Sequence, residues 1–181
     1  MNKKEIKDNA YKNLEIINEW INNSDNKTSV ALGLIGILLT ILFTTRNLFE
    51  KITKIISSIF SKIDFSDILF LIIFAISICF FVYGMWSLIK VLIPTLKMKV
   101  CNIKSYLFFG SIAQYSSYEQ YKNDVLNANI DDVIDDLLNQ VYQNSIICNN
   151  KYKNFTVGIK YFIIGFVDAI IMYNLGILIY L

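Results

Sequence analysis

Hydrophobic and polar positions divide this chain into stripes and runs. Residues 2–23 carry Ile6, Ala10, Leu14, Ile17 and Ile21 at steps of four, four, three and four, with Lys and Glu opposite. That spacing predicts an amphipathic helix, extended towards its end by Trp20. Asn22, Asn23, Ser24, Asp25 and Asn26 follow. Such side chains compete for backbone hydrogen bonds, so a break or cap is expected here.

Three apolar runs come next. Val30 to Phe43, VALGLIGILLTILF, is extended by Thr28, Ser29, Thr44 and Thr45. It approaches the ~20 residues that cross the hydrocarbon core of a bilayer. Gly33 and Gly36, three apart, would permit close helix contact there. Ile68 to Ile89 is 22 residues without a charge, with Tyr83 and Trp86 near one end, and Pro94 marks the helix stop. The last 21 residues, from Tyr161 to Leu181, are again mostly apolar. Between the first two runs, Phe49, Ile52, Ile56, Ile59, Phe60 and Ile63 form a stripe opposite Lys51, Lys54 and Lys62. This fits a short helix lying in the membrane interface or packed on its neighbours.

The third run is preceded by another stripe: Ile130, Val133, Ile134, Leu137, Val141 and Tyr142. One segment thus reads as an amphipathic helix that becomes a membrane span, unless Gly158 breaks it. Asn129 can cap it, and Asp131, Asp132, Asp135 and Asp136 crowd its first turns, where the helix dipole favours carboxylates. A second short helix is expected from Ser117 to Asn127.

The expected fold is therefore all-α, with three transmembrane helices, an N-terminal amphipathic helix and a helical cytosolic sensor region. The segments are a cytosolic amphipathic helix (1–28), span one (29–45), an interfacial connector (46–67), span two (68–90), the sensor region (91–157) and span three (158–181). Together they form one functional domain.

Composition sharpens this picture. Of 181 residues 55% are hydrophobic, with a mean hydropathy of +0.46, too apolar for an ordinary soluble domain. Net charge is +2, which leaves no nucleic-acid footprint. Lys and Arg place thirteen on the side of the N-terminus and residues 90–160, against four on the 44–67 connector. The positive-inside rule then puts the N-terminus and the sensor region in the cytosol and the C-terminus outside. Without a secretory signal, the first span is expected to direct its own insertion.

Candidate chemistry is sparse. There is no histidine, which removes the commonest general base and metal ligand. Cys79, Cys101 and Cys148 are scattered and offer neither a disulfide framework nor zinc spacing, and all three are expected to be small buried residues. No glycine-rich phosphate loop or nucleophile–base pair is present, so no catalytic residue, metal site or enzyme activity is expected. The four aspartates fit dipole stabilisation better than a metal site. Asp168 lies mid-span, where an ionised carboxylate costs about 2.5–3.5 kcal/mol on insertion scales; either it lines a polar path with Asn174, or it is a protonated carboxyl hydrogen-bonded to a neighbouring helix. Asp25 and Lys27 sit where span one leaves the cytosol, and Lys151, Lys153 and Lys160 where span three enters it. Each of these lysines fits a side chain reaching out to lipid phosphate; their shared depth also allows a pocket for an anionic ligand, and the aromatics of 106–121 would then stack on a base.

A set of features then points to a family. Trp20 on the first helix is followed by Asp25 and Lys27 as D-x-K, then by Pro94 closing the second span. Tyr106 to Ala113, Asp135 to Val141 (D-D-L-x-x-Q-V) and Asn150 to Tyr152 complete the order. The chain resembles the membrane effectors of Pycsar, the pyrimidine cyclase system of bacterial antiphage defence. One departure is Thr95, where the family pattern leads us to expect arginine, with Lys97 supplying a nearby basic group. The resemblance implies a multi-pass protein of the bacterial inner membrane that senses cyclic CMP or cyclic UMP from a neighbouring cyclase. It implies that the effector impairs membrane integrity, acts as a homo-oligomer in the lipid bilayer, and causes abortive infection. Asp25, Lys27, Tyr106, Phe109 and Lys151 are then the expected ligand-binding residues. The competing readings are a membrane scaffold with a protein-binding helical region, and a small channel or transporter subunit.

Overall fold

A computed structural model describes residues 2–44, 48–61, 64–94 and 105–180, with Phe49 and Ser61 described by backbone only. Expectations resting on Thr45, Arg46, the Phe49 side chain, Lys62, Ile63, Thr95, Lys97, Cys101 and Leu181 lie outside these residues. The regular elements of the described residues are all helices: α1 (Lys3–Thr44), α2 (Leu48–Ser61), α3 (Phe65–Leu92), α4 (Phe109–Ile112), α5 (Tyr118–Asn127) and α6 (Ile130–Tyr180). Three of these, α1, α3 and α6, are long and apolar enough to cross a membrane. The helices fall into two compact units. The first takes residues up to Ser24 and from Pro94 to Lys151; the second takes Asp25–Ile93 and Tyr152–Leu181.

α1 does not break at Asn22–Asn26. Its inward stripe continues from Ile21 through Ser24 and Thr28, exposed by 1% and 0%, to Ile35. Small hydroxyl side chains take the inward positions, and Asn22, Asn23 and Asn26 stay on the exposed face. A polar run interrupts a helix only when its side chains capture the backbone. Here the register keeps them away from the packed side.

The second unit is built on an antiparallel pair, α3 and the latter part of α6. Its inward face on α3 is small through Ser77, Gly84 and Ser87 and ends on the buried Leu88 and Val91, while Ile72, Val82 and Trp86 are about half exposed. That inversion suits a helix whose outer face meets lipid, since small residues let backbones approach. A Cβ on Gly84 would stand 2.3 Å from the Phe162 nitrogen, and one on Gly165 2.3 Å from the Phe81 nitrogen. Gly158 sits against Leu88 in the same way, so α6 runs through this glycine, which is a packing site within it. Gly33 and Gly36 behave oppositely: a Cβ on either meets nothing within 4 Å. The close approach expected of α1 belongs to α3 and α6. Phe81 and Phe162, with ring centroids 5.3 Å apart, continue the seam, and α1 joins it through Ile35.

α2 turns Ile55 and Ile59 inward and pairs Lys54 with Glu50 at 2.7 Å on its outer side. Ile55 packs towards Gly176 of α6. Cys79, expected to be buried, is exposed on this chain, and Cys148 is half-buried. In a membrane span an exposed small side chain faces apolar lipid and loses nothing by leaving the core.

Candidate functional site

In the first unit the sequence-predicted stripe on α6 is turned. Ile134 and Leu137 are buried, but Ile130 and Tyr142 are exposed by 51% and 57%. The inward arc instead takes Asp136, Gln140 and Gln143, at 2%, 6% and 6%. These polar residues step by four and three, the spacing of a helix face.

Asp136 organises the segment before α4. Its Oδ2 accepts the Ser105 hydroxyl at 3.0 Å and the Tyr106 backbone N–H at 2.8 Å. Ser105 Oγ accepts the Phe108 N–H at 2.9 Å and the Gln140 side-chain amide at 3.2 Å. A buried carboxylate is tolerable only when hydrogen bonds replace its lost hydration. This one uses a single oxygen: among the described residues Oδ1 has no hydrogen-bond partner. Asp131 and Asp132 do occupy the first turn, Asp132 accepting the Asn129 N–H at 3.2 Å. Asp136 thus differs from its acidic neighbours, being a buried anchor. No group of residues suited to a metal occurs among the described residues.

The predicted ligand residues are distributed over both units. In the first, Tyr106 is half-buried and its carbonyl accepts the Tyr121 hydroxyl at 3.3 Å. Phe109 is exposed by 66%, its ring 4.8 Å from that of Phe108, and Lys151 is buried at 9%. In the same unit α5 is capped by Ser117, whose hydroxyl accepts the Gln120 N–H.

In the second unit Asp25 is half-buried and Lys27 exposed. The Lys27 ammonium lies 6.0 Å from the centre of the Tyr152 ring, at the reach of a cation–π contact. A shallow groove beside it is lined by Asn26, Lys27, Val30, Leu34 and Phe155. Its surface is almost wholly apolar, with Phe155 as an aromatic wall. Neither Tyr152 nor Phe155 was among the expected ligand residues; Tyr152 closes the N-K-Y segment and Phe155 follows it by three, one helical turn on, which was the available signal. Further along the spans, Asp168 Oδ2 and Ser77 Oγ are 2.5 Å apart, and the same hydroxyl lies 2.9 Å from the Ile73 carbonyl. Asn174 is exposed and donates to the Ile170 carbonyl of its own helix at 2.8 Å.

Residues 9–180 match the family model described as the Pycsar effector protein domain. The chain belongs to the Pycsar effector family. It is also 31% identical, over 95% of its length and 93% of the relative's, to the Pycsar effector protein GmPycTM of Gulbenkiania mobilis. No solved structure matches it. The chain is thus a transmembrane effector in antiphage defence, acting with a cyclase system and the membrane.

Proposed function

We propose that this effector binds a cyclic pyrimidine mononucleotide, cyclic CMP or cyclic UMP, and in response impairs the integrity of the bacterial inner membrane, ending the infected cell before phage release. The observation that carries the reading is the family match along almost the whole chain, spans included. Within the second unit, Lys27 with Tyr152 and Phe155 offers a cation and aromatic faces, the chemistry a cyclic phosphate and a base require. Asp25 precedes it on α1, and Tyr106, Phe109 and Lys151 are the corresponding candidates of the first unit.

A ligand acts only through a difference in affinity between two arrangements. α6 is one unbroken helix from Ile130 to Tyr180, so a preference set in its first half can be passed along its axis as rotation or tilt. The effector works as a homo-oligomer with its N-terminus and residues 91–157 in the cytosol and its C-terminus outside. In that oligomer Asp168 and Asn174 are turned towards a polar path.

The test is calorimetry with each nucleotide on the purified protein, beside dye release from reconstituted vesicles. Binding and messenger-dependent release are expected. Absence of binding to either nucleotide overturns the reading, and leakage without messenger would favour a constitutive channel.

A further inference from the structure

We propose that the cavity among α1, α2, α3 and α6 of the second unit binds one acyl chain of an anionic phospholipid, with the headgroup at Lys51. The cavity has a volume of about 510 Å³ and is partly open to the surface of the unit. Its wall includes Leu39, Ile52, Phe74, Phe81, Ala169 and Ile170. Polar side-chain atoms come only from Tyr173 and Asn174, and the Asn174 amide already donates to the Ile170 carbonyl.

Water does not suit such a space, because a buried water needs about two to four polar partners. The apolar matter at hand in a chain with three membrane-crossing helices is lipid. A helix of a second copy is too broad: at about 10–12 Å across with its side chains, little more than one turn would fill this volume. An acyl chain is thin and flexible, and an irregular apolar slot is what it fits.

Charge selects the headgroup. α2 contributes Leu48 and Ile52 to the wall, and Lys51 lies three residues from the first and next to the second, at the edge of that face. Its side chain is half-buried, the condition of a lysine whose stem lies along apolar surface while its ammonium reaches outward. Lys54, one turn on, is engaged by Glu50. Lys51 therefore sits beside the slot's α2 edge, placed for a lipid phosphate.

Native mass spectrometry of the full chain tests this, with protein released from vesicles of phosphatidylglycerol mixed with phosphatidylcholine. Wild type is expected to retain one phospholipid, with phosphatidylglycerol favoured several-fold. Ala169→Phe, which fills the slot, should lose it. Lys51→Gln should keep a lipid but lose the headgroup preference. Ile163→Phe, at an exposed residue that does not line the cavity, should behave as wild type. Should Ala169→Phe fail to fold, Ala169→Leu gives the same reading, and the wild-type headgroup competition needs no variant. The proposal is overturned if wild type retains no lipid, if a folded filled variant retains as much as wild type, or if Val82→Cys cross-links to a second copy through the slot.

Discussion

Asp136 holds the backbone N–H of Tyr106 at 2.8 Å with the same carboxylate oxygen that takes the Ser105 hydroxyl. The start of the aromatic segment is therefore fixed to a buried point on α6 by a charge-assisted bond, about twice as strong as a neutral one. Asp136→Ala leaves both donors unpaired, at a cost of about 1–3 kcal/mol each. Hydrogen exchange should show the amides of Tyr106 and Phe108 losing protection. Asp136→Asn keeps an acceptor and should lose less. Unchanged protection in the alanine variant would mean that the segment is held by something else.

The seam between α3 and α6 has no room to give. Gly84→Val and Gly165→Val place carbon where the neighbouring backbone stands, and overpacking costs typically ~1–3 kcal/mol, occasionally more. Both variants should show lower midpoints of thermal unfolding in detergent. Gly33→Ala and Gly36→Ala have open space and should match or exceed wild type.

Ser77 links α3 to Asp168 within the bilayer. Hydrogen bonds of this kind average about 0.6 kcal/mol, with a maximum near 1.7. Asp168→Asn should retain the contact and most of the stability, whereas Asp168→Leu and Ser77→Ala should each lose a fraction of a kilocalorie. If Asp168 also lines the proposed polar path, both Asp168 variants should reduce messenger-triggered depolarisation. Full depolarisation by both would rule that role out.

Lys27→Glu reverses the charge at the groove beside Tyr152, and Tyr152→Ala removes the ring. The first should weaken cyclic nucleotide binding by tenfold or more, on the scale of a lost charge-assisted bond of about 1.5–3 kcal/mol. The second should weaken it less, as an exposed cation–π contact is worth about 0.5–1 kcal/mol. Wild-type affinity in both would move the site away from Lys27.

Burial pushes the Cys148 thiol up from its ordinary range, more than the nearby Lys151 ammonium pulls it down. The thiolate is disfavoured in the folded chain, so alkylation at mildly alkaline pH should be slower than in the unfolded chain. A Cys79→Ser, Cys101→Ser background isolates the signal. Equal rates would show that the thiol is not shielded.

Much of this fold was legible because apolar runs and helical stripes follow directly from where water and lipid must lie. The runs at Val30–Phe43 and Ile68–Ile89 fall inside α1 and α3, and Ile52, Ile56, Ile59 and Phe60 of the second stripe lie on α2. The short helix expected from Ser117 to Asn127 is α5, Tyr118–Asn127 with Ser117 as its cap. Less visible was anything that depended on a polar residue facing inward. Ser24 and Thr28 carry the buried stripe through a polar stretch, and Asp136 looks in sequence like its three acidic neighbours. Only the angle around the helix separates them, and that angle is set by packing. Glycines misled in the same way: Gly33 and Gly158 are alike in sequence, and only the partner across the interface tells them apart.

Ser77 and Gly84 are seven residues apart on α3, and Gly158 and Gly165 seven apart on α6. A seven-residue repeat keeps one face turned to its partner over successive turns, as in a left-handed supercoil. The seam therefore works as a vernier. One residue inserted between Ser77 and Gly84 would swing everything beyond it by about 100° and present large side chains where glycine stood. Seven inserted residues would lengthen the span and return the same face. A longer α3 thus keeps this seam only when residues are added in whole heptads, while α1, whose Gly33 and Gly36 meet no neighbour, makes no such glycine seam.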